Sequence, residues 1–239
     1  MAEIYKNAPL IEALCEFHFS QEQEWDWTIP GTIYEMVKGD FPVKSQQKGI
    51  KVIIDGKTGK ATQSDDSTVE KVRFFRDDQS ALLQVGPHIL SVNQLLPYPG
   101  WEKFKDLILS SLQIYIDVAD PAKLEKVGLR YINRFERTDA NLFLIKPYIP
   151  INKPIKNYFM RNELYYKEVD SNLIIIMGNQ YDQQNDQNFT IIDLEFYSTN
   201  QHYISFKSYN DWLETAHNCV EEAFESCISK ELKLYLRGE

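Results

Sequence analysis

The chain is poor in the residues that most often announce a chemistry. Among 239 residues there are 3 cysteines and 4 histidines. Cys15 stands alone, and Cys219 and Cys227 lie eight residues apart in one helical pattern. That matches neither a disulfide scaffold nor a zinc ribbon, and fits a reducing, cytoplasmic setting. His18, His88, His202 and His217 form no His-x-x-x-His pair, so no metal site and no cofactor is expected. Asp65-Asp66 and Asp77-Asp78 each fall in a predicted turn, where aspartate is common for conformational reasons. No Gly-x-Ser-x-Gly elbow occurs. Gly56-Lys57-Thr58 lacks the glycine-rich loop of a phosphate cradle; Val52, Ile53 and Ile54 stand where it would be.

Apolar runs are short as well. The longest, near Leu173, falls far below the length of a membrane span, so no membrane association is expected. The opening MAEIYKNAPLIEALCEF has early glutamates and no basic start to an apolar core, so it does not read as a signal peptide. With 26 Lys+Arg against 35 Asp+Glu, the net charge is -9, which disfavours nucleic acid as a partner.

What is abundant is apolar and aromatic. The chain is 43% hydrophobic, with 14 Tyr, 13 Phe and 4 Trp, the composition of a folded globular protein. Residues 9–19, PLIEALCEFHF, alternate as a strand does: Ile11, Ala13, Cys15, Phe17 and Phe19 on one face, Glu12, Leu14, Glu16 and His18 on the other. A short helix follows Pro30 through Val37. Strands are predicted at 50–55, at 69–77 and along 81–95, with Gly86-Pro87 bulging or interrupting the last. Trp101 to Val118 carries apolar residues at helical spacing, and Asp120-Pro121 ends it.

GLRYINRFE is then a strand, followed by three more at 161–169, 173–181 and 189–197. A single helix of about 27 residues is predicted from Asn210 to Leu236, opened by Asn210 or by Ser208 with Asp211 as a capping box. The fold class is therefore α+β: an antiparallel sheet built from two similar halves, 1–120 and 121–239. A long amphipathic covering helix follows each half, and the halves merge into one unit over 1–239.

Three fragments stand out in order: PLIEALCEFHF, PGWEKF and GLRYINRFE. They resemble a sporadically distributed bacterial protein family of about this length. Its opening pattern falls on Pro9, Leu10, Glu12, Ala13, Glu16 and Phe17. Its Trp-x-x-Phe falls on Trp101 and Phe104, and its Gly-Leu-Arg-Tyr-Ile-Asn on Gly128 to Asn133. With the closing helix, the resemblance spans nearly the whole chain. It implies kinship and no particular chemistry.

Two groups of residues are singled out. Glu12 and Glu16 share one face of the first strand, and Arg130 and Arg134 one face of GLRYINRFE. Carboxylates and guanidiniums at strand spacing suit cross-strand ion pairs or the holding of an anionic ligand. Asn133 joins them as a neighbour in the same strand. Tyrosine and phenylalanine crowd the second half, and Tyr165, Tyr181, Phe196, Tyr203 and Trp212 are expected at an interface or around a cavity. The reading is a cytoplasmic binding or protein-interaction module, a homo-oligomer with a dimer favoured, with an unidentified protein partner. Two alternatives stay open: a phosphoester hydrolase or nuclease-like enzyme pairing carboxylates with arginine, and a small-ligand binder with an aromatic cavity.

Overall fold

Alternating polar and apolar residues make strands, and strands are the largest class of element among the described residues. A computed structural model describes residues 5–22, 24–48, 52–54, 61–63, 69–136, 139–145, 158–182, 186–199 and 209–239. The first half contains β1 (Leu10–Phe19), α1 (Ile29–Val37), β2 (Val43–Lys48), β3 (Val52–Ile54), β4 (Ala61–Gln63), β5 (Val69–Phe75), β6 (Ala81–Gly86), β7 (Ile89–Gln94) and α2 (Trp101–Ala119). The second contains β8 (Leu124–Phe135), β9 (Phe159–Tyr166), β10 (Ser171–Asp182), β11 (Gln187–Ser198), α3 (Tyr209–Cys227) and α4 (Lys230–Arg237).

Nine strands form one antiparallel sheet in the order β2-β5-β6-β7-β1-β8-β11-β10-β9, and β3 pairs with β4 apart from it. β1 and β8 are neighbours at its middle. Outward from each runs a three-stranded meander, β7-β6-β5 on one side and β11-β10-β9 on the other. Each meander is followed in the chain by a helix, α2 or α3. The α+β class with an antiparallel sheet is the observed one.

All four described helices pack on one face of this sheet. That face carries Ala13, Cys15, Phe17 and Phe19 of β1, Val127, Leu129 and Tyr131 of β8, and Ile192, Leu194 and Phe196 of β11. From α2, Phe104, Ile108, Leu112 and Tyr115 descend onto it, with Tyr115 stacked on Phe19 at 4.5 Å. From α3 come Trp212, Leu213, Ala216 and Val220. Burying each of the Val, Leu, Ile and Phe side chains among these contributes roughly 1.5–3 kcal/mol. Among the described residues no helix is long and apolar enough to cross a membrane.

Several boundaries differ from the sequence pattern. A bulge at Ile11 shifts the register between Leu10 and Glu12, so Leu10 enters the core in place of Ile11. The 81–95 segment is two strands: Pro87 and His88, the latter with φ at 57°, turn β6 back as β7. The final helix breaks. Ile228 makes a β-bridge to Phe143, and Ser229 N donates to Leu142 O at 2.8 Å. Ser229 then caps α4, its Oγ accepting from Leu232 N at 3.2 Å. Ser208, the alternative cap, lies outside the described residues.

Candidate functional site

The other face of the sheet is where the polar half of each strand's alternation goes. In register across it stand Gln84, Ser91, Glu16 and Gly128, and beside them Leu82, Asn93, Leu14, Arg130, Glu195 and Ile174. Among the described residues no helix packs here. The short side chains are buried all the same, Ser91 at 1% exposure and Asp193 at 7%, because long neighbours on flanking strands lean over them.

Hydrogen bonds tie this face together. Arg73 donates to Gln47 and, at 3.1 Å, to Gln84; Gln84 donates to Asn93 at 3.0 Å; Asn93 donates to Glu12 at 2.6 Å. Glu16 receives Ser91 Oγ at 2.7 Å, His18 Nε2 at 2.7 Å and Lys71 Nζ at 3.4 Å. Burial alone raises the Glu16 carboxyl. The His18 and Ser91 hydrogen bonds and the Lys71 charge outweigh it and hold the pKa at about 2.

Arg130 makes a bidentate pair with Asp193, Nε to Oδ1 at 2.7 Å and Nη2 to Oδ2 at 2.5 Å. That bond raises its pKa further. Beyond it, Tyr197 donates to Glu163 at 2.5 Å, and Asn172 donates to both at 3.0 Å. All nine strands place a polar side chain in this face.

The predicted polar residues therefore separate. Glu12, Glu16 and Arg130 share the open face, but neither glutamate receives a hydrogen bond from Arg130. Arg134 lies on the same face farther along β8, bonded to Glu136 at 2.9 Å and stacked over Phe189 at 4.1 Å. Asn133 points the other way, is buried, and donates to Ile192 O at 3.3 Å.

The predicted aromatics also part company. Phe196 and Trp212 meet in the core at 5.7 Å, with Trp212 Nε1 donating to Ser171 at 3.1 Å. Tyr165 and Tyr181 are exposed on outer strands, bonded to Asp170 and Asp186. Tyr203 lies outside the described residues.

One polar system escaped the sequence reading. His217, one of the four histidines that form no metal-ligand pair, is buried and stacked flat on Trp101 at 4.1 Å. Its Nδ1 bonds Tyr131 OH at 2.9 Å and its Nε2 meets Glu221 at 3.0 Å, while Tyr131 OH meets Tyr98 OH at 3.1 Å. The neutral Nε2–H tautomer satisfies every member: Tyr98 donates to Tyr131, Tyr131 to Nδ1, and Nε2 to Glu221. Burial pushes Tyr98 up to about 12 and Tyr131 well above its usual range. The phenols thus stay protonated at neutral pH, and the chain of bonds locks α3 to the sheet. A signal for it existed: His217 lies four residues from Leu213 and three from Val220, on the apolar stripe.

Among the described residues, no three His, Cys, Asp or Glu side chains converge to hold a metal. No family model matches the chain, and no curated protein matches it.

Proposed function

We propose that this chain is a non-catalytic binding module of the cytoplasm. It takes a polypeptide partner on the open face of its sheet and counts a second copy of itself among its partners. The observation that carries the reading is the texture of that face. Leu14 stands opposite Arg130, Ile132 opposite Glu12 and Asp193, and Ile174 opposite Glu195. Apolar and charged side chains alternate in both directions, the mixture that protein interfaces use. Arg130 is already paired with Asp193 and Glu16 with Lys71, and Asn93 holds Glu12, so less reorganisation is needed when a partner covers them.

Chemistry supports a protein over a nucleic acid. Among the described residues Glu12, Glu16, Glu163, Asp193 and Glu195 are interspersed with Lys71, Arg73, Lys126, Arg130, Arg134 and Arg161, which leaves no unbroken basic track for a phosphate backbone. The three cysteines are free, Cys15 and Cys227 buried, in keeping with a reducing compartment. The fragments around Pro9, Trp101 and Gly128 support membership of the sporadically distributed bacterial family that they resemble.

The test is a partner captured by the wild-type chain, repurified and titrated calorimetrically against Leu14→Arg, Ile132→Arg and, on exposed α2, Lys103→Glu. The two open-face variants should lose more than tenfold in affinity at unchanged melting temperature, and Lys103→Glu should bind normally. Equal binding by all three overturns the reading. So does hydrolysis of a phosphodiester by the wild-type chain that disappears in Glu16→Gln, which would establish the hydrolase instead.

A further inference from the structure

The two ends of the sheet carry opposite kinds of strand. β2, at one end, is VKSQQK: polar, with two lysines, the sort of edge that discourages pairing with another chain. β9, at the other, is FMRNELYY over 8 residues. Its Phe159, Tyr165 and Leu164 are 70%, 58% and 46% exposed. Among the described residues no strand covers the outer side of β9, whereas β2 covers β5 at the matching place in the first half. A long, exposed, apolar edge is a template for another strand.

We propose that β9 pairs antiparallel with β9 of a second copy, about a two-fold axis through Asn162. Folded on itself at that residue, the strand is self-complementary. Phe159 falls opposite Tyr165, Met160 opposite Leu164, Arg161 opposite Glu163, and Asn162 opposite its own copy. Aromatic, apolar and opposite-charge pairs are the favourable cross-strand contacts. Neighbouring registers lose this match. An axis at Arg161 sets that arginine against itself and Phe159 against Glu163; an axis at Glu163 sets two carboxylates together and Arg161 against Tyr165.

Backbone phase agrees with the same axis. Tyr158 O accepts from Asn179 N at 3.2 Å, so Tyr158 and every second residue after it bond inward to β10. Phe159, Arg161, Glu163 and Tyr165 therefore aim their N–H and C=O groups outward. Those four are the residues that the axis places in hydrogen-bonded pairs. Within one copy Arg161 already holds Glu163 at 2.9 Å, and Tyr197 holds the same carboxylate. Two copies close these into a cluster of two arginines and two glutamates.

The inference rests on self-association as part of the proposed binding function, and its test is separable from that of the open face. In sedimentation the wild-type chain should run at twice its 28.0 kDa mass. Arg161→Glu and Glu163→Arg should each revert to a monomer, because each sets like charges opposite one another. An equimolar mixture of the two variants should regain the double mass, since positions 161 and 163 then carry opposite charges across the interface.

Asn162→Cys supplies a readout on an otherwise native chain. At a non-hydrogen-bonded pair the Cα atoms are about 4.5 Å apart, within disulfide range. Oxidation should link the chains at position 162, and cysteine at 161 or 163 should not link. A wild-type monomer at every concentration overturns the proposal. So does a dimer that ignores both charge reversals, or one that fails to cross-link at 162. If Asn162→Glu, which sets two carboxylates together on the face of β9 opposite to Glu163, keeps its open-face partner while losing its own copy, the two binding functions stand apart. Loss of open-face binding alone would leave the β9 pairing intact.

Discussion

Glu16 carries a stability that should vanish in acid. Its carboxyl sits at about 2 in the folded chain against 4.5 for the free group. The native state therefore binds fewer protons than the unfolded state between those values, and stability rises with pH across that window. The contribution is fully present above pH 4.5 and is lost as pH falls toward 2. At about 1.36 kcal/mol per unit, the ceiling is about 3.4 kcal/mol. Glu16 is 30% exposed, so solvent screening brings a realistic figure to about 1–2 kcal/mol. Glu16→Gln keeps the shape and an acceptor for Ser91 but removes the charge. Urea unfolding of both chains, followed by tryptophan fluorescence from neutral pH down to pH 2.5, measures the difference. The wild type should be the more stable by about 1–2 kcal/mol at pH 6, and the gap should close as the pH falls below 4.5. A gap that stays constant from pH 6 to 2.5 would refute the account, since it would owe nothing to the carboxylate's charge.

Three further outcomes follow from the fold. Tyr131→Phe strips His217 Nδ1 of its buried donor, and should cost about 1–3 kcal/mol. At about 2–4 °C per kcal/mol for a chain of this size, that is a lowered melting temperature readable by calorimetry. Ser229→Ala removes the cap of α4 and should cost about 1 kcal/mol, whereas Ser229→Gly should cost only a few tenths, a ranking that denaturant titration resolves. Burial pushes the Cys15 thiol well above its usual range and Cys227 to about 11, while Cys219, raised less far, is partly exposed. Alkylation of the native chain at pH 8 should therefore mark Cys219 first, with all three reacting only in denaturant.

The sequence was most informative where one face of an element is buried. β1, β8, β10, β11 and α2 appear close to where the alternation or helical spacing places them, because periodicity reports burial directly. β2 was invisible for the converse reason: an edge strand with no buried face has no alternation to show. The break at Ser229 left no trace because Cys227 and Leu232 both face the core, so the apolar stripe continues through it. At the candidate site, the sequence could say that Arg130 lies on a polar strand face, but not which carboxylate it meets. Asp193 is 63 residues away on a strand that periodicity cannot assign as a neighbour. The carboxylates nearest in expectation, Glu12 and Glu16, flank Leu14, and it is Leu14 that stands opposite Arg130. Pair identity belongs to topology, and topology is what a period does not encode.

The β9 pairing also fixes how two open faces would be presented. From β8 of one copy to β8 of the other, the joined sheet runs through β11, β10 and β9 and back, seven strand steps. At about 4.8 Å per step, the two centres lie about 34 Å apart. Neighbouring strands also rotate by about 20–25°, so seven steps turn one face by roughly 140–175° relative to the other. The two copies then look in nearly opposite directions, and one partner of ordinary size cannot touch both faces. The dimer should therefore bind two partners independently, without avidity. Titration of the wild type should give one partner per chain with identical sites, and the monomeric Asn162→Glu variant should bind with the same affinity per chain. A single partner per dimer, or a tenfold loss of affinity on dissociating the dimer, would mean that the sheet is far flatter than strand twist allows or that the copies meet elsewhere.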